Sequence, residues 1–255
     1  VESFAHYTSL IQPGGALVTH RGLRFEERLA PGVRRYDYSR TEGDFHAENI
    51  RIGGGRIVFD LVSPIEPIRD IELGVPVSIN IDNGIAACAL AQIAGVDGES
   101  IRRAMLSFAG VDRRFDFKIK TDRCVFLSDY AHHPAEIQQS ILSLREVFDG
   151  RKICAIFQPH LYSRTRDFAG EFAQALSLLD EVILLDIYPA RELPIEGVTS
   201  ALIYDQLRPD MVKQMARLED LHRLVAARDN DVLVVLGAGD VDNYCDQLAQ
   251  ILNQQ

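Results

Sequence analysis

The stretch Ser128-Asp129-Tyr130-Ala131-His132-His133-Pro134-Ala135-Glu136-Ile137 decides how the rest of the chain is read. It follows the apolar run 124–127 and precedes Ile137, Ile141, Leu144 and Phe148, whose spacing makes one apolar helix face. Strand, turn and helix are therefore expected in succession, with Asp129 to His133 in the turn. Pro134 suits the first helical turn, where its missing N–H would have no intrahelical partner. In open α/β sheets, ligands sit outside the carboxyl end of a strand, and a helix N-terminus there favours anions. An aspartate and two imidazoles crowded into such a turn need partners or water. One reading has Asp129 capping the turn and the histidines solvated.

Downstream, apolar runs at 152–157, 181–185, 211–216 and 231–236 alternate with helical spacing at 165–179, 200–207, 219–227 and 241–252. That alternation predicts right-handed βαβ units: an α/β fold, Rossmann-like, with a mostly parallel sheet and flanking helices. Upstream, strands are expected at 16–19, 33–39 and 65–73, with a short helix at 23–29. A hairpin is expected where 45–52 and 56–62 flank Gly53-Gly54-Gly55, and helices at 80–94 and 98–108. The opening residues 1–10 resemble the end of a helix, and a chain that starts at Val1 in mid-pattern reads as a piece of a longer protein. Gly110-Val111-Asp112 breaks the pattern, which sets domains at 1–111 and 112–255.

The chain has 255 residues, 47% hydrophobic and 25% charged, as expected of a globular protein with room for two modest domains. A net charge of −10 without basic runs argues against nucleic acid as a partner. No run approaches the roughly 20 apolar residues of a membrane span, and a cytoplasmic location is expected. Cys88, Cys124, Cys154 and Cys245 lack C-x-x-C spacing and read as buried apolar residues. The triple glycine is not followed by the Gly-Lys of a phosphate loop, and Gly237-Ala238-Gly239 lacks the third glycine of a dinucleotide fingerprint, with Asp242 in its place.

The string Asp129-Tyr130-Ala131-His132-His133-Pro134-Ala135-Glu136-Ile137 resembles a turn in the carboxy-terminal domain of the Mur ligases. Arg113-Arg114-Phe115-Asp116 is similar to the segment that opens that domain. Three loops after strand ends are similar to family motifs as well: 157–167, 186–200 and Gly237-Ala238-Gly239-Asp240. Leu161 stands where many relatives have a second arginine. Asn80 and Asn83 match the asparagines of the family's G-x-H-N-x-x-N segment, with Val77 and Ile79 replacing its glycine and histidine. The resemblance implies the rear of an ATP-binding central domain in 1–111, an incomplete α/β segment, and an amino-acid-binding domain in 112–255. It implies ATP and Mg2+ as cofactors, with the magnesium ligands upstream of this chain. Asn80 and Asn83 would then hold adenine, Arg114 and Asp129 meet the nucleotide, and Tyr130 pack beside the base. His132, His133 and Arg164 would line the amino-acid carboxylate, and Arg114, Asp129, His132 and His133 would form the catalytic set.

Forming an amide from a carboxylate needs activation, cations to spread phosphate charge, and a separate pocket for the amine. The motif combination is most similar to the family branch that adds L-alanine to UDP-N-acetylmuramate. The branch that recycles murein tripeptide is the neighbouring alternative, favoured by Ala131. A different class of reading is a metal-dependent phosphoesterase with Asp129, His132 and His133 as ligands, helped by Asp186 and Asp240. A third is a binding module without catalysis. A strand edge left open in the first part could pair with another copy, so a homo-oligomer is also an expectation.

Overall fold

The computed structural model describes residues 2–254, so Val1, where the sequence reading started its first helix, lies outside them. The chain divides into two compact units, one through Phe108 and one from Ala109 onward.

The first unit contains α1 (Glu2–Thr8), β1 (Ala16–His20), β2 (Arg34–Tyr38), β3 (His46–Gly53), β4 (Arg56–Val62), β5 (Ile68–Glu72), α2 (Ile79–Ile93) and α3 (Gly98–Ser107). β1 and β2 pair in parallel, while β3, β4 and β5 form an antiparallel sheet. The β3–β4 hairpin turns on Gly54 and Gly55, both left-handed at φ 58° and 74°, the backbone that two-residue hairpins require and glycine adopts without penalty. The triple glycine thus serves a turn. The helix expected at 23–29 does not form. The Arg28 N–H donates to Thr8 Oγ1 (3.0 Å) and Glu27 binds Arg35, and such external bonds outcompete a helix too short to be stable alone.

The second unit is a six-stranded sheet of β6 (Asp116–Lys120), β7 (Val125–Asp129), β8 (Ile153–Phe157), β9 (Glu181–Leu185), β10 (Val212–Ala216) and β11 (Val232–Leu236), in the order β10-β9-β8-β11-β7-β6. All pairings are parallel except that of β6, an antiparallel edge strand. The sequence reading had no strand at β6. Its helices are α4 (Pro134–Val147), α5 (Tyr162–Leu176), α6 (Ala201–Tyr204), α7 (Leu221–Ala226) and α8 (Cys245–Asn253). Strand side chains alternate between faces. Phe126, Ile156, Ile183, Leu233 and Val235 form one core with Leu221, Val225 and Leu248 of α7 and α8. On the other face Phe157 packs its ring 5.4 Å from Phe172 of α5. Both faces are therefore covered, which is why β7, β8 and β11 are buried along their whole length.

Several boundaries moved, and three of them lie at the carboxyl edge of the sheet. Asp129 is the last residue of β7 and does not open the turn. α5 begins at Tyr162, earlier than its apolar face indicates, because Glu192 caps it from another loop. The closing helix is preceded by a 3-10 turn, Asp240–Tyr244. All four cysteines are buried and free, and burial pushes the Cys88 and Cys245 thiols up to about 12.

Candidate active site

Register brings four loops to one edge. Leu236 of β11 pairs with both Asp129 and Phe157, and Phe157 with Leu184, so the segments after β7, β8, β9 and β11 all leave from the carboxyl edge of the sheet. The strand order changes direction between β8 and β11, since β9 and β10 lie on one side and β7 on the other. Crevices of open α/β sheets form at such a switch.

Asp129 is 6% exposed. Its carboxylate accepts the Ser140 hydroxyl from α4. Burial pushes this carboxyl above the usual carboxylate range, opposed by the Ser140 bond, by the N–H groups of Phe115 and Tyr130, and by the charge of Arg114. Arg114 itself is exposed, and its guanidinium has no hydrogen bond to a described residue. Tyr130 is 37% exposed, with the Arg113 guanidinium 4.7 Å from its ring centroid and the His132 ring at 5.0 Å.

The two histidines differ. His132 places Nδ1 2.8 Å from the Tyr130 carbonyl, which fixes the ring when that nitrogen carries the proton and leaves Nε2 as the acceptor. His133 is the N-cap of α4, with its ring 5.1 Å from that of Phe168. Both backbone N–H groups donate to Glu136 (3.1 and 3.2 Å), which meets orphan donors at the helix start. Arg164 Nη1 donates to the His132 carbonyl at 3.4 Å. Arg164 and His132 are thus together, as the sequence reading expects.

The sequence reading did not single out several residues that the structure places at this edge. His160 stacks on Tyr188 with ring centroids 5.7 Å apart and lies 5.9 Å from the His132 ring. Burial, with Arg164 and His132 nearby, pushes this imidazole below its ordinary value and so favours its neutral form. The His160–Tyr188 bridge zips the loops after β8 and β9 together. Leu161 then turns the chain into α5 at a left-handed φ of 74°. Glu192 accepts the N–H and hydroxyl of Ser163 at 2.9 and 2.5 Å. Gln158 is buried, its Nε2 donating to Asp240 (2.7 Å) and its Oε1 accepting the Val241 N–H (3.1 Å). With Asp186, Tyr188 and Arg217, Gln158 and Asp240 line a cleft of about 330 Å³. The motif around 157–167 was the available signal for His160 and Gln158; nothing local marks Glu192 as a cap.

Asn80 and Asn83 belong to the first unit. Asn80 Nδ2 donates to the Val75 carbonyl (3.1 Å) and Asn83 Nδ2 to Asn80 Oδ1 (3.2 Å), so Asn80 orients Asn83 and leaves the exposed amide oxygen of Asn83 open. Among the described residues, no group of three His, Cys, Asp or Glu is placed to hold a metal ion. The phosphoesterase reading therefore has no ligand set: Asp129 is turned inward onto Ser140, while His133 packs on Phe168.

Residues 113–239 match the family described as Mur ligase, glutamate ligase domain. The whole chain is 62% identical to the UDP-N-acetylmuramate--L-alanine ligase of Phocaeicola vulgatus, covering 56% of that protein. It is 53% identical to the ligase of the same name from Parabacteroides distasonis, covering 55%. The chain thus spans about half the length of the curated relatives it matches. Among solved structures, the UDP-N-acetylmuramate-alanine ligase of Thermotoga maritima superposes with a TM-score of 0.68 at 26% identity, over 86% of this chain and 48% of that one.

Proposed function

From the premise that this chain belongs to the Mur ligase family, we propose that it is part of an ATP-dependent ligase joining L-alanine to UDP-N-acetylmuramate in peptidoglycan precursor synthesis. The observation that carries the reading is identity of 62% along the full 255 residues to a ligase of that name. The first unit is assigned to the rear of the ATP-binding domain and the second to the amino-acid-binding domain, with the boundary near 111. The partners are small molecules, and the setting is cytoplasmic; no described helix is long and apolar enough to cross a membrane.

ATP, when bound, supplies the phosphoryl group that activates the muramate carboxylate as an acyl phosphate. Two features of the second unit fit such a nucleotide: Tyr130 is partly exposed beside the turn, and the exposed Arg114 guanidinium matches phosphate oxygens. In the first unit, Asn80 holds the amide of Asn83 in place. Magnesium, when bound, would spread charge over the phosphates; among the described residues no group of three His, Cys, Asp or Glu is placed to hold a metal ion.

For the amine, His132 and Arg164 form the carboxylate cradle. The Nδ1 contact to the Tyr130 carbonyl aims the opposite edge of the His132 ring outward, and Arg164 is anchored beside it by the His132 carbonyl. His133 contributes its backbone as N-cap and orients the turn. The cradle holds an amino acid against an acyl phosphate by position and charge.

The test uses the full-length protein with ATP, magnesium, UDP-N-acetylmuramate and L-alanine, following ADP release. Release dependent on both substrates is expected. Turnover with the murein tripeptide in place of L-alanine would instead assign the recycling branch.

A further inference from the structure

We propose that Arg113 is the positioning residue that fixes the Tyr130 ring as a stacking platform and ties it to the loop after β11. The role rests on the assignment of Tyr130 to the nucleotide base made above. Arg113 engages three residues on two segments at once. Its carbonyl accepts the Tyr130 N–H at 2.6 Å, and its guanidinium lies 4.7 Å from the centre of the Tyr130 ring. Nη2 donates to the Gly239 carbonyl at 3.3 Å, and Nε lies 3.3 Å from Oδ2 of Asp242, close enough for an ion pair but without hydrogen-bond alignment. Asp242 is itself held by the Ser128 hydroxyl of β7 at 2.7 Å.

Backbone conformation points the same way. Arg113 and Phe115 are both left-handed, at φ 63° and 46°, a conformation that a Cβ disfavours and that persists only when the surroundings impose it. An arginine with no task here would swing its head into water. This one instead keeps Nε shut off from solvent without an aligned acceptor, which is costly unless the guanidinium is wanted where it lies. Its neighbour Arg114 is exposed, with its charge felt by Asp129. The two adjacent arginines have divided roles, Arg113 holding the platform and Arg114 meeting the ligand. A guanidinium laid on the ring limits tilt of the tyrosine, and the His132 ring, 5.0 Å away in an edge arrangement, bounds it further.

The experiment uses the 255-residue chain with ring-labelled tyrosine. It has eight tyrosines, and Tyr130→Phe identifies the Tyr130 resonance. Arg113→Met keeps the stem without the charge. It should move the Tyr130 resonance and leave the other tyrosines in place, and Arg113→Lys should restore part of the shift. An unmoved Tyr130 resonance, or equal movement of all tyrosines, overturns the proposal. If Arg113→Met does not fold, the Tyr130 shift in Arg113→Lys decides by the same criterion.

Titration with ADP gives a second arm. Arg113→Met should weaken binding roughly fivefold, the scale of a cation–π contact, and should add nothing in a Tyr130→Ala background. Equal weakening in both backgrounds overturns positioning through Tyr130. If Tyr130→Ala leaves ADP affinity intact, the nucleotide role of Tyr130 falls, and the ring resonance alone then decides whether Arg113 positions it.

Discussion

Asp129 shows what burying a single carboxylate costs a fold. Its folded pKa is raised by burial, so folding disfavours its charged form. The contribution to stability is then full below the unfolded pKa of about 3.9 and is lost as pH rises through the folded value. Asp129→Asn keeps an acceptor for Ser140 and removes the buried charge. We expect a higher unfolding midpoint than wild type at pH 7, a difference that closes on acidification, and loss of ligation in the full-length protein; thermal melts at several pH values and ADP release measure both. Arg164 differs, because its contact with an amino-acid carboxylate would exist in ground and transition states alike. Arg164→Ala in the full-length protein should raise KM for the amino acid roughly tenfold to a hundredfold, as for a hydrogen bond to a charged group. Its kcat and ATP affinity should change little, and steady-state kinetics with each substrate varied test this.

At the scale of elements, the carboxyl edge is held by loops bracing one another. The segment Gly237-Ala238-Gly239 has the look of a nucleotide fingerprint, yet its glycines serve close approach. A Cβ on Gly237, whose φ is 140°, would lie 2.8 Å from the Gln158 carbonyl oxygen, and one on Gly239 would meet the Gln158 side chain and lie 2.9 Å from Tyr188 Cβ. Gly239→Ala should therefore destabilise the second unit by about 1–3 kcal/mol, the range for overpacking, and should displace Gln158 from Asp240. Chemical denaturation gives the first quantity, and the amide signal of Val241, which now donates to Gln158 Oε1, reports the second. The turn after β7 is braced in the same manner: Glu136 satisfies two N–H groups of the turn, and Ser140 of the same helix holds Asp129.

For the molecule as a whole, the two units lead to different expectations. The second has a six-stranded sheet covered on both faces, whereas the first has a parallel pair, β1–β2, beside an antiparallel sheet. No G-x-x-x-x-G-K-[ST] loop occurs in these 255 residues, so the chain by itself should not release ADP when mixed with ATP, magnesium, UDP-N-acetylmuramate and L-alanine; release dependent on both substrates would refute this. Sequence alone determined the alternation of β7 to β11 with helices, because hydrophobic periodicity is a local property that a buried parallel sheet imposes on every strand. It also placed a strand-to-helix turn directly after β7, although Asp129 closes that strand and does not open the turn. It did not yield β6, whose apolar positions Phe117 and Ile119 alternate with Lys118 and Lys120 and whose edge place is set by pairing with β7. It did not separate Arg113 from Arg114, since adjacent identical residues are alike until a left-handed backbone sends one onto Tyr130 and the other into solvent. His160 on Tyr188, Glu192 on α5 and Gln158 on Asp240 were likewise decided only by tertiary structure. Each joins segments far apart in the chain, and the register of parallel strands, which no local pattern encodes, is what brings them within bonding distance.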